Sequence, residues 1–194
     1  MSPAAFILPG YLLGSIPFGL LLTRAAGLGD IRAIGSGNIG ATNVLRTGNR
    51  KLAAATLLLD GLKGAAAVLL SWHFAGPLAA LWGGLGAVLG HCFPVWLRFR
   101  GGKGAATAYG VLIAAAWPVG LLAGAIWLVM AKVVRISSAS ALTSFALAPV
   151  LALLLANNGV ALLALAIAVL IFARHHENIR RLLAGTEPRI GNRA

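Results

Sequence analysis

Apolar residues along this chain fall into long runs separated by short polar stretches, and the runs have the length of membrane spans. A hydrocarbon core about 30 Å thick takes about 20 apolar residues of helix. Residues 5–23, 52–72, 77–97, 141–156 and 160–173 each predict one span, while 105–134 is long for one helix and short for two full ones. Pro118 removes a backbone donor, so this run is expected to break at Trp117-Pro118. That gives seven spans, the fourth of them short and either tilted or partly re-entrant. No basic region and no small-residue cleavage site precede the first run, so it is expected to be retained rather than removed as a signal peptide.

Charge sets the orientation. The chain carries 16 Lys+Arg against 4 Asp+Glu, a net charge of +12. Lys and Arg concentrate in cytoplasmic loops. With seven spans, Arg24, Arg32, Arg46, Arg50, Lys51, Arg98, Arg100, Lys103, Lys132, Arg135, Arg174, Arg180, Arg181, Arg189 and Arg193 all fall on one side. Lys63 alone lies inside a span, and the opposite loops (73–76, 117–118 and 157–158) carry no Lys or Arg. The expected fold is therefore an all-α integral membrane protein of seven transmembrane helices, N-terminus outside and C-terminus cytoplasmic. Trp72 and Trp117 are expected at the outer interface and Trp96 at the inner one.

Composition narrows the function classes. Hydrophobic residues make up 59% and charged residues 10%, far from the balance of a soluble enzyme, a disordered regulator or a coiled coil. A single cysteine excludes an internal disulfide and a multi-Cys zinc site. Nucleic acid suits the positive charge poorly, because the apolar runs leave little water-facing surface. Anionic phosphate on lipids or small metabolites suits it better. Most of the 25 glycines, such as Gly61, Gly64, Gly83, Gly84, Gly86 and Gly90, are expected to let helices approach closely in lipid. No internal repeat is evident, which weighs against a repeat-built transporter.

Three cytoplasmic segments are unusually rich in glycine and hydrogen-bond donors. Residues 35–49 combine Gly35, Gly37 and Gly40, whose backbone N–H groups can converge on an anion, with the short donors Ser36, Asn38, Thr42 and Asn43 and the guanidinium fork of Arg46. The Gly-x-Gly-x-x-Gly spacing formally matches a dinucleotide fingerprint, but a membrane helix precedes it instead of a strand. Residues 98–104 place Lys103 between glycines, and no Ser or Thr follows it as a P-loop requires. Residues 175–181 close the last span. There His175 and Asn178 are three apart and face the same way on a helix, while Glu177 and Arg181 are spaced as an i,i+4 pair. A metal site at His175-His176 is disfavoured, since neighbours on a helix point about 100° apart.

Asp60 and Lys63 lie inside the second span, three apart on one face. Intramembrane charges cost roughly 2.5–3.5 kcal/mol each and are functional by default. They are expected to pair with each other or to reach the glycine-rich loops. His91 sits in the cytoplasmic half of the third span, and Cys92 reads as packing. Chemistry that is missing also counts. There is no Gly-x-Ser-x-Gly elbow, no His followed five residues later by Asp, and no acidic cluster for Mg²⁺ as a CDP-alcohol phosphotransferase needs. Any catalysis then rests on positioning and on electrostatic stabilisation by N–H, Arg and Lys.

Six motifs occur in order: Gly14-Ser15-Ile16-Pro17-Phe18-Gly19, Gly35-Ser36-Gly37-Asn38-Ile39-Gly40-Ala41-Thr42-Asn43, Asp60-Gly61-Leu62-Lys63-Gly64, Gly90-His91-Cys92-Phe93-Pro94-Val95-Trp96, Phe99-Arg100-Gly101-Gly102-Lys103-Gly104 and His175-His176-Glu177-Asn178-Ile179. Together they resemble the bacterial acyl-phosphate-dependent glycerol-3-phosphate acyltransferases over nearly the whole chain. The resemblance implies one transmembrane acyltransferase domain over 1–194, working as a monomer in a bacterial cell (inner) membrane, with its active site on the cytoplasmic face.

The resemblance also implies the reaction. A fatty acyl group moves from acyl phosphate, not from acyl-CoA or acyl carrier protein, to the 1-hydroxyl of sn-glycerol 3-phosphate, without metal, cofactor or acyl-enzyme. The products are 1-acyl-glycerol 3-phosphate (lysophosphatidic acid) and phosphate. By likeness, Ser36, Gly37, Asn38, Gly40 and Thr42 hold the acyl phosphate. Arg46, Lys103, His175 and Asn178 bind glycerol phosphate and act in catalysis, joined by a serine, Ser140 first and Ser138 next. Asn43, Asp60, Lys63 and His91 brace the site. A transporter of glycerol phosphate or another phosphorylated anion is the alternative. It would require a polar path to the outer face, where the loops carry no Lys or Arg.

Overall fold

The computed structural model describes residues 2–190, so Arg193 lies outside the described residues. Every described element is helical. The N-terminal apolar run does not form one continuous helix. A short turn at Pro3–Phe6 leads into α1 (Ile7–Gly14), and α2 (Phe18–Ala25) follows a break. Pro17 has no N–H and its ring clashes with a continuing turn. The break releases two carbonyls, which distant side chains capture. Trp96 Nε1 donates to Ser15 O at 2.7 Å, and Lys63 Nζ donates to Ile16 O at 2.7 Å.

After the short α3 (Ala41–Leu45), α4 (Arg50–Cys92) runs for 43 residues, about 64 Å at 1.5 Å per residue, or twice the hydrocarbon thickness. It doubles back at Gly76, whose φ of 80° with Pro77 behind it ends one arm and starts the next. The two arms pack together, since a Cβ on Gly83 would run into Ser71 and Ala67 of the first arm. Four more helices complete the bundle: α5 (Ala105–Ala115), α6 (Trp117–Val134), α7 (Ser137–Leu155) and α8 (Asn158–Arg174). A short α9 (His176–Leu183) is bent 64° from α8. The expected break before Pro118 is present, with Ala116 extended.

Among the described residues, four helical stretches are long and apolar enough to cross a membrane: Pro3–Ala25, Arg50–Leu97, Trp117–Val134 and Ser137–Leu155. The bent α8–α9 pair makes a fifth. Leu58, Leu69, Leu153, Leu154 and Leu162 point outward and are exposed, as lipid-facing side chains are. Glycines set the helix spacing. Gly10 and Gly14 of α1 lie on the backbone of Gly83 and Ala87, while Gly110 lies on Gly61. Phe145, Val68, Val88, Val111, Leu112 and Ile167 form the main core. A second small core of Leu20, Ile31, Ile39, Val44 and Ala53 holds the 26–49 segment against α2 and α4.

Two ends of the bundle result. At one, Trp72, Pro77, Ala115, Asn157 and Val160 line a shallow apolar recess. At the other gather the 26–49, 93–104, 135–136 and 175–190 segments, which contact one another as described below. α5 is only 11 residues long, about 16 Å. The loop that precedes it therefore reaches well into the bundle.

Candidate active site

The 26–49 segment is organised by Asn43, which is buried. Its Nδ2 lies 3.0, 2.9 and 2.8 Å from the carbonyls of Ile31, Ile34 and Asn38. Its Oδ1 accepts from Ser36 N at 3.1 Å. Its amide is thus spent inside the loop, where it braces, and is not free to meet a phosphate. Asn38 Oδ1 accepts from Gly40 N at 3.0 Å, closing an Asx turn. The Ser36 and Thr42 side chains and Gly37 stay exposed. Arg46 folds over Gly35, where a Cβ would come within 2.6 Å of Nη1 and 2.7 Å of Asn43 Oδ1. At the base of the loop Asp30 pairs with Arg24 at 2.8 Å and with Arg32 at 2.5 Å. The Arg32 hydrogen bond holds the Asp30 carboxyl well below the usual range.

The 98–104 loop is fastened to the end of α4. Gly101 N donates to Cys92 O at 3.1 Å and Gly102 N to His91 O at 3.0 Å. From the other side, Arg174 Nε and Nη2 donate to Gly102 O and Gly101 O at 3.2 and 3.3 Å. The same guanidinium sits 5.1 Å from the Phe93 ring centroid. So fixed, the loop points Lys103 Nζ at Asn178 Oδ1, 2.6 Å away. Burial pushes the Lys103 ammonium below its usual pKa, with Glu187 pulling the other way.

The bend between α8 and α9 supplies the facing wall. His175 and Asn178 are both buried. His175 Nδ1 lies 2.7 Å from Ile171 O. A carbonyl only accepts, so Nδ1 carries the proton and Nε2 keeps its lone pair. Burial lowers the His175 pKa to about 4, with the Lys103 charge adding to the effect. Asn178 Nδ2 donates to Glu187 Oε1 at 2.5 Å, Ser138 Oγ to the same oxygen at 2.7 Å, and Arg181 Nε to Oε2 at 2.6 Å. Burial opposes the Glu187 charge, yet these donors hold its carboxyl below its ordinary value. Arg181 therefore pairs with Glu187, not with Glu177 as its helical spacing suggests, and Glu177 is exposed. Of the two serines, Ser138 reaches this cluster. Ser140 is fully buried and donates to Ile136 O one turn back at 2.8 Å.

Beneath the loops lies the buried Asp60 group. Lys63 Nζ is 2.7 Å from Asp60 Oδ1, and His91 Nδ1 is 3.6 Å from the same oxygen. The expected Asp60–Lys63 pair is present, and Lys63 also reaches the first-span break. A Cβ on Gly102 would overlap the His91 ring, so this charged group supports the lysine loop directly.

The glycine loop and the lysine loop face each other across a cleft of about 600 Å³ lined by Asp30, Arg32, Gly37, Arg100, Gly101 and Arg174. The structure thus forms three joined groups: Asn43 with Ser36, Asn38, Gly40 and Arg46; Lys103 with Asn178, Glu187 and Ser138; and Asp60 with Lys63 and His91. No hydrogen bond joins Arg46 to Lys103 among the described residues. Arg174 and Glu187 are the site residues that sequence reasoning overlooks. Arg174 counts there only among the basic residues that set the orientation, and an isolated glutamate in a polar tail carries no motif. Among the described residues no three His, Cys, Asp or Glu side chains gather as a metal site. Chemically, the arrangement offers cations, backbone and side-chain donors and one neutral imidazole: a surface suited to phosphate groups.

Comparison with known proteins adds to this. A model of the glycerol-3-phosphate acyltransferase family matches residues 4–185. The glycerol-3-phosphate acyltransferase of Mesorhizobium japonicum is 63% identical over 182 residues, covering 94% of this chain and 93% of its own. That of Cereibacter sphaeroides is 63% identical over 185 residues, covering 95% and 88%. The crystal structure of PlsY (YgiH), an integral membrane glycerol 3-phosphate acyltransferase, superposes in its glycerol 3-phosphate form with a TM-score of 0.91 at 38% identity, covering 98% of this chain and 96% of that one. Its lysophosphatidic acid form superposes with a TM-score of 0.90 at 37% identity.

Proposed function

Since the chain belongs to the glycerol-3-phosphate acyltransferase family, we propose that this acyltransferase takes its acyl group from acyl phosphate and delivers it to the 1-hydroxyl of sn-glycerol 3-phosphate. The products are lysophosphatidic acid and phosphate. The observation that carries the reading is the Lys103–Asn178 hydrogen bond beside His175. It joins the lysine loop to α9, 75 residues apart, at the end of the bundle where the glycine-rich loop also lies. The same end collects the basic residues, which supports a cytoplasmic site. Seven spans then follow if the two arms of α4, the short α5, α6, α7 and α8 each count with the broken first span, placing the N-terminus outside in a bacterial inner membrane.

In this reading the acyl tail lies in lipid between helices, and the donor's phosphate rests on the 36–42 loop. Lys103, His175, Asn178 and Arg46 hold the acceptor, with a serine at 138 or 140. A bond forms between the acceptor hydroxyl oxygen and the acyl carbon as the bond from that carbon to the bridging phosphate oxygen breaks. The leaving phosphate carries its charge away against cations and N–H donors. The hydroxyl proton passes to a phosphate oxygen of bound substrate. A phosphate with a second pKa of about 6 accepts it more readily than His175, lowered to about 4. His175 Nε2 then orients the hydroxyl. Neither metal nor acyl-enzyme is required.

The test uses purified protein with palmitoyl phosphate and glycerol 3-phosphate, in the presence of chelator, against palmitoyl-CoA as donor. Lysophosphatidic acid and phosphate should appear from the acyl phosphate alone. Product from the thioester only, or none from either, would overturn the reading.

A further inference from the structure

From Ala184 to Arg189 the chain runs exposed except at Glu187. That side chain is 7% exposed, and both of its oxygens are occupied. Ser138 Oγ and Asn178 Nδ2 donate to one oxygen and Arg181 Nε to the other, while Lys103 donates to the far side of the same Asn178 amide. An acceptor-only anion ringed by hydroxyl, amide and guanidinium donors next to an ammonium is what a phosphate site provides. Here the anion belongs to the chain itself. We propose that Glu187 is an internal stand-in for the acceptor's phosphate, and that glycerol 3-phosphate must displace it to bind. This rests on the reading above that Lys103, Asn178 and a nearby serine hold the acceptor.

The segment that carries Glu187 is built to come away. It leaves α9 at Gly185, with φ of 70°. Among the described residues, and apart from Glu187, it is tied by Thr186 N and Oγ1 to Arg181 O at 2.8 and 3.4 Å and by Ile190 N to Arg135 O at 2.6 Å. It buries no large apolar side chain, so local opening is inexpensive compared with unfolding. A neutral alcohol brings nothing to replace the carboxylate on these donors. A phosphorylated one does, so the strap also discriminates between acceptors. A site closed most of the time weakens apparent affinity by the fraction of time it is open.

Two measurements on the full chain test this. In the acyl phosphate assay, Glu187→Gln and Glu187→Ala should lower KM for glycerol 3-phosphate about 3- to 10-fold. A KM for glycerol 3-phosphate that stays the same or rises overturns the proposal. On the unmodified protein, glycerol 3-phosphate should accelerate tryptic cleavage after the exposed Arg189 in a saturable way. Unchanged or slower cleavage overturns it, whatever the variants do to folding. If the unmodified enzyme makes no product, the functional reading fails. If it turns over and these two readouts do not move, only the strap fails.

Discussion

His91 occupies the space where a side chain on Gly102 would stand. Through that contact the buried Asp60 group holds up the loop that aims Lys103. Gly102→Ala should force the ring or the loop to shift, at about 1–3 kcal/mol for an overpacked site, and should lower kcat/KM at least about tenfold. Truncating His91 to alanine in the same chain should recover part of the loss, a non-additivity that residues in contact show. Turnover and melting temperature of the two single variants and the double variant check this. Strict additivity would mean the contact does not matter.

Removing one member of the Asp60–Lys63 pair leaves the other charged and buried. Lys63→Met should therefore destabilise the detergent-solubilised protein by about 3–5 kcal/mol, and it also removes one of the two donors to the Ile16 carbonyl, leaving Phe18 N at 3.1 Å. Asp60→Asn combined with Lys63→Met should be milder than Lys63→Met alone, because no charge is then stranded. Thermal unfolding of the three variants gives the order.

Lys103 holds Asn178 by a charge-assisted hydrogen bond, a kind worth about 1.5–3 kcal/mol. Lys103→Ala should cut kcat/KM for glycerol 3-phosphate by about 10- to 100-fold with little change in melting temperature, since burial already works against its charge. Lys103→Arg should not restore activity, as a planar fork does not fit where a point charge does. Full recovery with arginine would argue that charge alone matters.

His175 titrates near 4 in the fold against about 6.5 in the unfolded chain. Between those values the unfolded chain binds the proton and the folded protein does not. Stability should therefore fall as pH drops from about 6.5 to about 4 and be insensitive to this group above that window. His175→Gln should flatten that slope in pH-dependent melts. The activity profile between pH 6.5 and 8 should show no limb from His175, as followed by imidazole resonances that stay neutral throughout.

Much of this architecture is legible in residue order because lipid imposes strict lengths. The α4 arms, α6, α7 and α8 follow from apolar runs. The break at Pro118 follows from its missing donor, and the Asp60–Lys63 pair from a three-residue spacing. The interruption at Pro17 is not legible from hydropathy, because Ser15-Ile16-Pro17 is too short to interrupt an apolar average. What makes the break tolerable is Trp96, 81 residues away, which no local pattern reveals. The site divides in the same way. Lys103 between glycines and the His175/Asn178 pair stand out by type and spacing. Arg174 hides among the basic residues that set the orientation, Asn43 resembles a ligand donor although its amide is consumed by its own loop, and Glu187 acquires meaning only once the tail folds back.

The broken first span carries an implication for how the protein is made. In lipid, an unpaired carbonyl costs several kcal/mol; Ile16 O has Phe18 N beside it as well as Lys63, but the partner of Ser15 O is Trp96. The ribosome must therefore deliver half of the polypeptide before the opening helix can settle. Until then, that helix waits in the bilayer or the insertion machinery with its backbone incompletely satisfied.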